Sequence, residues 1–285
     1  MLKSNFQGFI GAESAYKDAD MVIYGAPFDS TTSFRPGARF GPNAIRQESF
    51  GIETYSPYQD KDLLDYNIFD YGDIELPFGN TRLALDMIKD VARQILRDDK
   101  LPILLGGEHL VTLGQVEALK EKYDDFYIIH FDAHCDLRQE YLGCELSHAS
   151  VIRRCYDLLG NDRIFQFGIR SGDRSEFEFS KQGNTYINKF NFDTLQEVVK
   201  SLEGKNVYFT IDLDVLDTSV FSGTGTPEAG GVTFNELLKA ILEVSKLNII
   251  GLDMVELAPM LDASGSSTAL ACKTLRELLL AINRR

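Results

Sequence analysis

Short apolar runs alternate along the chain with longer segments in which apolar residues recur at every third or fourth position. Runs of the first kind are typical of strands buried on both faces, whereas the second spacing is typical of amphipathic helices. The runs predict strands over residues 21–25, 64–70, 101–105, 126–131, 163–168, 206–211 and 248–252. The longer segments predict helices over residues 43–49, 81–97, 111–122, 147–159, 192–202, 233–245 and 265–282.

This alternation of strand and helix predicts an α/β fold with three layers, in which helices cover both faces of a mainly parallel central sheet. Because neither a repeat nor a change in composition divides the 285 residues, we expect a single domain over residues 1–285. Thr233 and Glu236 have the spacing of a capping box, and an Asn/Asp cap is expected to start the helix at 192–202.

Side chains of the types that bind metals directly follow four of the predicted strands. In an open parallel sheet, sites form beyond the carboxyl ends of the strands, so we expect these side chains to share one site. Each group alone is also explained by a solvated loop, a turn or a histidine at a helix start, but scattered charges would not fall only at strand ends. The set comprises His109 after 101–105, Asp132, His134 and Asp136 after 126–131, Asp212 and Asp214 after 206–211, and Glu256 after 248–252.

The residue types in this set indicate which ion they bind. Asp132, His134 and Asp136 alternate, and alternate side chains of an extended backbone point the same way. Together with Asp212 and Asp214 they place four carboxylates in one pocket, where they repel one another without cations. Four carboxylates and two imidazoles are too many ligands for one tetrahedral zinc, so they predict two divalent ions, and the oxygen-rich set favours Mn²⁺. Two such ions lower the pKa of a water between them, which predicts metal-assisted hydrolysis.

The net charge of −14 narrows the class of partner. An acidic surface repels phosphate backbones and anionic lipid, so we expect neither a nucleic-acid nor a membrane partner, and a small cationic substrate is favoured. The four cysteines have no metal or redox spacing and are too few for a disulfide scaffold. A reducing, cytoplasmic location is therefore expected.

Several motifs, in order along nearly the whole chain, resemble those of the ureohydrolase (arginase/agmatinase) family, and their wording is closest to bacterial agmatinases. They are RPGARFGPNAIR (35–46), GGEHLVTLG (106–114), FDAHCD (131–136), SHAS (147–150), DLDVLD (212–217), GTGTPEAGG (223–231) and VELAP (255–259). The resemblance implies two Mn²⁺ ions per subunit, hydrolysis of a guanidinium to urea and an amine, and a homo-oligomer, either a trimer or a hexamer. It assigns one ion to His109, Asp132, Asp136 and Asp212 and the other to His134, Asp132, Asp212 and Asp214, with Asp132 and Asp212 bridging.

The same resemblance implies catalytic and substrate-binding roles. Hydroxide bridging the metals would attack the guanidinium carbon, and Asp136 would give a proton to the departing amine. His148 would exchange protons with solvent, which suits an imidazole near neutral pH, although it is also explained as a histidine at a helix start. Glu256 resembles the carboxylate that pairs with the substrate guanidinium, or else it is a buried partner for a loop arginine.

Arg138 bears on the choice of substrate. Arginases carry an asparagine at this position, so arginase is disfavoured and agmatine, giving putrescine and urea, is the expected substrate. An inward-pointing Arg138 would oppose the ammonium of agmatine unless Glu145 offset its charge, and would instead bind a carboxylate, as in 4-guanidinobutyrate. The alternatives are a guanidinobutyrase-like or formimidoyl-type hydrolase and, from a different class, a non-catalytic metal-binding or assembly protein on the same fold.

Overall fold

One sheet of eight parallel strands forms the centre of the computed structural model, which describes residues 8–282. In chain order the strands are β1 (Met21–Ala26), β2 (Tyr55–Ser56), β3 (Lys61–Asp62), β4 (Ile68–Asp73), β5 (Leu101–Gly106), β6 (Tyr127–Phe131), β7 (Ile164–Ile169), β8 (Tyr186–Lys189), β9 (Asn206–Asp212) and β10 (Asn248–Val255). The short β2 and β3 form a separate antiparallel pair. The order across the main sheet is β4-β1-β5-β10-β9-β6-β7-β8, so the last strand of the chain lies between β5 and β9.

Helices cover both faces of this sheet. They are α1 (Gly41–Glu48), α2 (Thr81–Arg97), α3 (Thr112–Lys122), α4 (Val151–Leu159), α5 (Arg174–Lys181), α6 (Leu195–Ser201), α7 (Phe234–Val244) and α8 (Ser266–Ala281). Neighbouring strand residues point to opposite faces, as β1 illustrates: Ile23 packs in one hydrophobic core, and Val22 and Tyr24 pack in the other. The first core contains side chains of α1, α6, α7 and α8, and the second contains those of α2, α3 and α4. The predicted three-layer α/β fold with a parallel sheet is confirmed.

Most predicted elements are present, with ends shifted by about one helical turn or less. The helix predicted over 81–97 is α2 with the same bounds, and the capping box of Thr233 and Glu236 starts α7 as expected. The strand predicted over 64–70 is present as β4, but its predicted start is wrong, because β4 begins at Ile68. Asp62 accepts the N–H of Leu64 and starts a short 3₁₀ turn where the prediction placed the strand.

Two elements after residue 170 were not predicted. Helix α5 has a mainly polar sequence, and β8 is an edge strand without a fully buried residue, so neither has a continuous apolar run. The Asn/Asp cap expected for the helix at 192–202 is also wrong: α6 follows Thr194, and the Asn191 side chain instead accepts the N–H of Asp193. None of the helices within residues 8–282 is both long enough and apolar enough to cross a membrane. The single domain over residues 1–285 stays a prediction.

Candidate metal centre

The strands β5, β10, β9 and β6 are consecutive in the sheet, and the predicted metal-binding side chains extend from their carboxyl ends. Strands far apart in the chain thus place their terminal residues side by side, as parallel α/β sheets do. His134 is 23% exposed and every other member is buried. His109 follows β5, Glu256 follows β10, Asp212 ends β9 with Asp214 in the next turn, and Asp132, His134 and Asp136 follow β6.

Two of these residues have left-handed backbone conformations, with φ of 52° at Asp136 and 67° at Glu256. Residues with a Cβ are strained there, and such strain is concentrated at functional sites. Glu256 is held by two hydrogen bonds: its N–H donates to the Gly107 carbonyl over 2.9 Å, and its Oε1 accepts the N–H of His109 over 2.7 Å. A Cβ on Gly107 would lie 1.9 Å from the carbonyl oxygen of Phe28, so only glycine fits this turn. The loops after β5 and β10 are therefore fixed against each other.

The His109 ring faces three carboxylates. Its Nδ1 lies 3.1 Å from Asp132 Oδ2, 3.2 Å from Asp136 Oδ2 and 3.5 Å from Asp212 Oδ2. These are the residues that the family resemblance assigned to one metal ion. Three oxygens and one nitrogen from four side chains thus converge on one small volume, which is the arrangement a divalent cation needs.

Asp132 is shared with a second group of donor atoms. His134 Nδ1 lies 3.5 Å from Asp132 Oδ1 and 3.0 Å from Asp214 Oδ2, and the donor atoms of these three residues lie within 4.8 Å of one another. Asp214 Oδ2 is buried and accepts no hydrogen bond from residues 8–282. A buried carboxylate oxygen of this kind needs a positively charged partner, which a cation beside His134 would supply. Asp212 Oδ1 accepts the N–H of Asp214 over 2.8 Å, and the bridging role of Asp212 stays a prediction.

The protein's own charges disfavour full ionisation of this cluster. Burial and the neighbouring charge of Asp132 raise the pKa of Asp136 to about 7. Burial, Asp214 and Asp132 likewise raise the pKa of Asp212 well above its ordinary value. Burial also opposes ionisation of Asp132, but the nearby histidines, led by His130, outweigh it and hold that pKa well below its ordinary value. The residues present therefore fit a site for two divalent cations, whose charge would allow every carboxylate to ionise.

His130 is a site residue that the sequence analysis did not assign. It is fully buried, its Nε2 lies 2.8 Å from Asp132 Oδ2, and its Nδ1 lies 3.1 Å from Gln166 Nε2. Because the Nε2 amino group of Gln166, which also donates to the Cys135 carbonyl, can only donate, Nδ1 accepts and the proton of the neutral ring sits on Nε2, directed at Asp132. The signal was available, since His130 extends the alternation of Asp132, His134 and Asp136 by one step toward β6.

A second set of buried groups orients His109 through Nε2, on the side of the ring that faces away from the carboxylates. Its Nε2 lies 2.9 Å from Thr210 Oγ1, which donates to Asp253 Oδ1 over 2.6 Å. The other oxygen of Asp253 accepts hydrogen bonds from the hydroxyls of Thr112 and Tyr208. Because the one hydroxyl proton of Thr210 goes to Asp253, its oxygen accepts from His109 Nε2–H. A neutral His109 then presents an unprotonated Nδ1 to the cluster, as a metal ligand must.

A cavity of about 230 Å³ adjoins the cluster. One part of its lining consists of cluster residues and the predicted guanidinium partner. Another part consists of charged and aromatic residues from the loops after β6 and β7. The first part is formed by His134, Asp136, Asp212 and Glu256, with His148 and Ser33 beside them, and the second by Arg138, Tyr141, Asp173 and Glu176.

His148 lies on this cavity at the start of a 3₁₀ turn that leads into α4. Its N–H donates to Thr31 Oγ1 over 3.1 Å, and its Nε2 lies 3.2 Å from Ser33 Oγ. Burial lowers the pKa of His148 to about 4, so the ring is neutral at neutral pH. Thr31 in turn donates its hydroxyl and its N–H to Glu108, a fully buried carboxylate beside His109. Thr31 therefore links the position of His148 to the metal-binding cluster.

The expected partner of Arg138 is wrong. Its Nη1 lies 2.9 Å from Asp173 Oδ2 and its Nε lies 3.7 Å from Glu176 Oε2. Glu145, which the sequence analysis offered as the offsetting charge, instead lies 3.7 Å from Arg154. Asp173 and Glu176 belong to α5 and the turn before it, which were not predicted, so no pattern in the chain indicated that they lie near Arg138.

Known proteins resemble this chain over nearly its whole length. The model of the arginase family matches residues 19–281. Agmatinase of Halalkalibacterium halodurans is 50% identical and that of Bacillus subtilis is 48% identical, each over 95% of this chain and 95% of the relative. The crystal structure of agmatine ureohydrolase of Thermoplasma volcanium superposes with a TM-score of 0.89 and 33% identity, covering 98% of this chain and 95% of that one.

Proposed function

The chain belongs to the arginase family, and we propose that this agmatinase-type ureohydrolase uses two Mn²⁺ ions to hydrolyse agmatine to putrescine and urea. The observation that supports the chemistry best is the pair of donor groups around Asp132, one facing His109 and one facing His134. The observation that supports agmatine is the similarity to agmatinases over 95% of the chain. The reaction would give the chain a place in polyamine biosynthesis.

The six residues proposed to hold the ions are the four aspartates and two histidines of the cluster. Two divalent cations held there would activate a water molecule as the nucleophile and offset charge that develops during hydrolysis. The protein's part is to keep the donor atoms together before the ions bind, through the Asp253 and Thr210 contacts on one side and His130 on the other. The ligands are His109, Asp132, His134, Asp136, Asp212 and Asp214.

Glu256 is proposed to bind the guanidinium. Its Oε1 is occupied by the N–H of His109, and the residue lines the cavity. Burial and the charge of Glu108 raise the pKa of Glu256 well above its ordinary value, so a guanidinium cation beside it would favour the ionised carboxylate. A planar cation and a carboxylate also match in shape, which orients the guanidinium carbon toward the cluster.

Asp136 and His148 are proposed to move the protons. Asp136 borders both the cluster and the cavity, where it can accept a proton from the attacking water and pass it to the departing amine. His148 is a neutral imidazole held by Thr31 and Ser33 on the cavity wall, so it can take a proton from the site and release it to solvent. Neither step requires a nucleophilic side chain.

Urea release tests the proposal directly. Purified chain is loaded with Mn²⁺ and assayed with agmatine, arginine, 4-guanidinobutyrate and 3-guanidinopropionate. We expect metal-dependent turnover with agmatine preferred. Turnover of a guanidino acid without turnover of agmatine would replace the proposed substrate, and metal binding without turnover of any guanidine would favour a non-catalytic protein on this fold. The homo-oligomer and the cytoplasmic location expected from the sequence stay predictions.

A further inference from the structure

Arg138 lines the substrate cavity, but its charge is already engaged. Besides the Asp173 and Glu176 carboxylates, its guanidinium stacks over the Tyr141 ring, 4.8 Å from the ring centre. All four residues line the same cavity as Glu256 and His148. One terminal nitrogen of the guanidinium thus lies against Asp173, its Nε lies toward Glu176 and its face lies over Tyr141, so its charge is paired with carboxylates of the protein before any substrate carboxylate arrives.

The sum of charges at this part of the cavity is negative when both carboxylates are ionised. Hydrogen bonds from Ser175 and the charge of Arg138 lower the pKa of Asp173, whereas burial raises the pKa of Glu176. Asp173 is therefore the more fully ionised of the two carboxylates, and its charge alone neutralises that of Arg138. With any ionisation of Glu176, the region favours a cation over an anion.

On this basis we propose that Asp173, supported by Glu176, determines specificity by holding Arg138 away from substrate and leaving a region that accepts an alkylammonium tail. The inference rests on the proposed guanidine hydrolysis and defines which end group the cavity selects. A guanidine with an ammonium at its far end meets Asp173 and Glu176, whereas one with a carboxylate meets the same two charges and finds Arg138 already paired. The residue that appeared to oppose agmatine thus becomes compatible with it.

Asp173→Asn separates this role from a structural one. Asp173 also caps α5, where its Oδ1 accepts the N–H of Ser175 over 2.9 Å. Asparagine caps helices as well as aspartate does, so α5 is retained. The change removes the negative charge that faces Arg138 and replaces it with a neutral amide, which leaves the guanidinium available to a substrate carboxylate. Glu145→Gln is the matched control, because it removes a charge of the same sign from the loop after β6 but from a residue that pairs with Arg154.

The experiment measures kcat and KM for agmatine and 4-guanidinobutyrate with Mn²⁺-loaded wild type, Asp173→Asn and Glu145→Gln. In Asp173→Asn we expect KM for agmatine to rise about fivefold and KM for 4-guanidinobutyrate to fall about fivefold, as for one partly exposed charge contact. The kcat for agmatine should stay near that of wild type, since the metal cluster and Glu256 are untouched. Adding Arg138→Met to Asp173→Asn should abolish the gain with 4-guanidinobutyrate, and Glu145→Gln should keep the wild-type ratio.

Binding of putrescine and 4-aminobutyrate to the same proteins, by calorimetry, reports the tail preference without turnover. The inference is overturned if wild type binds 4-aminobutyrate more tightly than putrescine. It is also overturned if Asp173→Asn leaves the preference unchanged or changes it no more than Glu145→Gln. Failure of the proposed function gives a different result: none of the guanidines is hydrolysed. The calorimetric preference between putrescine and 4-aminobutyrate can still be measured in that case, so it tests the inference separately.

Discussion

The hydroxyl of Thr210 joins His109, a proposed metal ligand, to the buried carboxylate of Asp253. Thr210→Val keeps the branched shape that suits a central strand and removes only this hydroxyl. His109 Nε2 then loses its partner at 2.9 Å and Asp253 Oδ1 loses a donor at 2.6 Å. Because Nε2 then has no acceptor while Nδ1 still faces three carboxylate oxygens, the ring proton is held on Nδ1 more often. Nδ1 is therefore less often available to a metal, and we expect weaker metal binding.

The substitution is expected to lower both the stability of the fold and the affinity for metal, each by its own amount. Each of the two buried polar groups left unpaired costs about 1–3 kcal/mol, so the free energy of unfolding without metal should fall by about 2–6 kcal/mol. Loss of the outer partner of a metal-binding histidine lowers metal affinity about 10- to 100-fold, or about 1.4–2.7 kcal/mol. Because a bound ion stabilises only the folded state, a given Mn²⁺ concentration should also raise the Tm of the variant by less than that of wild type.

The assay is a Mn²⁺ titration against a competing chelator, with thermal unfolding measured in chelator and in excess Mn²⁺. Thr112→Val is the matched control, since it removes the hydroxyl that donates to the other oxygen of Asp253, over 2.8 Å, without touching His109. It should lower Tm but keep the wild-type metal affinity within about threefold. The reasoning is refuted if Thr210→Val binds Mn²⁺ as tightly as wild type, or if both variants lose the same affinity.

Three further substitutions test other parts of the site. Asp132→Asn should lose bound metal and activity together, because both donor groups include this carboxylate; full turnover at a metal content near zero, measured by elemental analysis, would contradict the assigned ligands. Thr31→Val removes the hydroxyl that accepts the His148 N–H, so kcat should fall about tenfold while metal content stays unchanged, and loss of metal would show a wider role. Hydrogen bonds from Ser219 and the loop backbone hold the pKa of Asp217 below its ordinary value, so this carboxylate stabilises the fold above about pH 4 and loses that effect as pH falls. The Tm difference between wild type and Asp217→Asn should therefore shrink below about pH 4, and a difference that is constant with pH would contradict this role.

The location of the site followed from the sequence because strand ends are local features. An apolar run followed by a ligand-type side chain is visible in the chain, and parallel packing places such strand ends at one edge of the sheet. They share one site here because β5, β10, β9 and β6 are neighbours. Which side chains share an ion was implied by the resemblance to the ureohydrolase family, not by the strand ends. His130 was missed for a different reason: it lies inside the apolar run, where a histidine is usually explained by packing alone.

The surroundings of Arg138 could not be predicted in the same way. Glu145 is near it in sequence, but Asp173 is brought to it by β7 and the turn before α5, and that approach depends on how two loops pack. The Asp253 network behind His109 is similar, because its members lie on β9, β10 and α3. Partners that meet only through tertiary packing leave no periodic signal in the sequence.

The position of β10 between β5 and β9 has a consequence for how the protein is made. During synthesis, the chain can pair β1, β4 and β5 in one group and β6, β7, β8 and β9 in another before β10 emerges. His109 then belongs to the first group and the aspartates after β6 and β9 to the second, so the two halves of the centre exist apart. Until residues 248–255 insert, β5 and β9 each present an unpaired edge that can join another chain. The centre is therefore expected to close among the last steps of folding, and a nascent chain that stalls before β10 is expected to aggregate before it can form the proposed metal site.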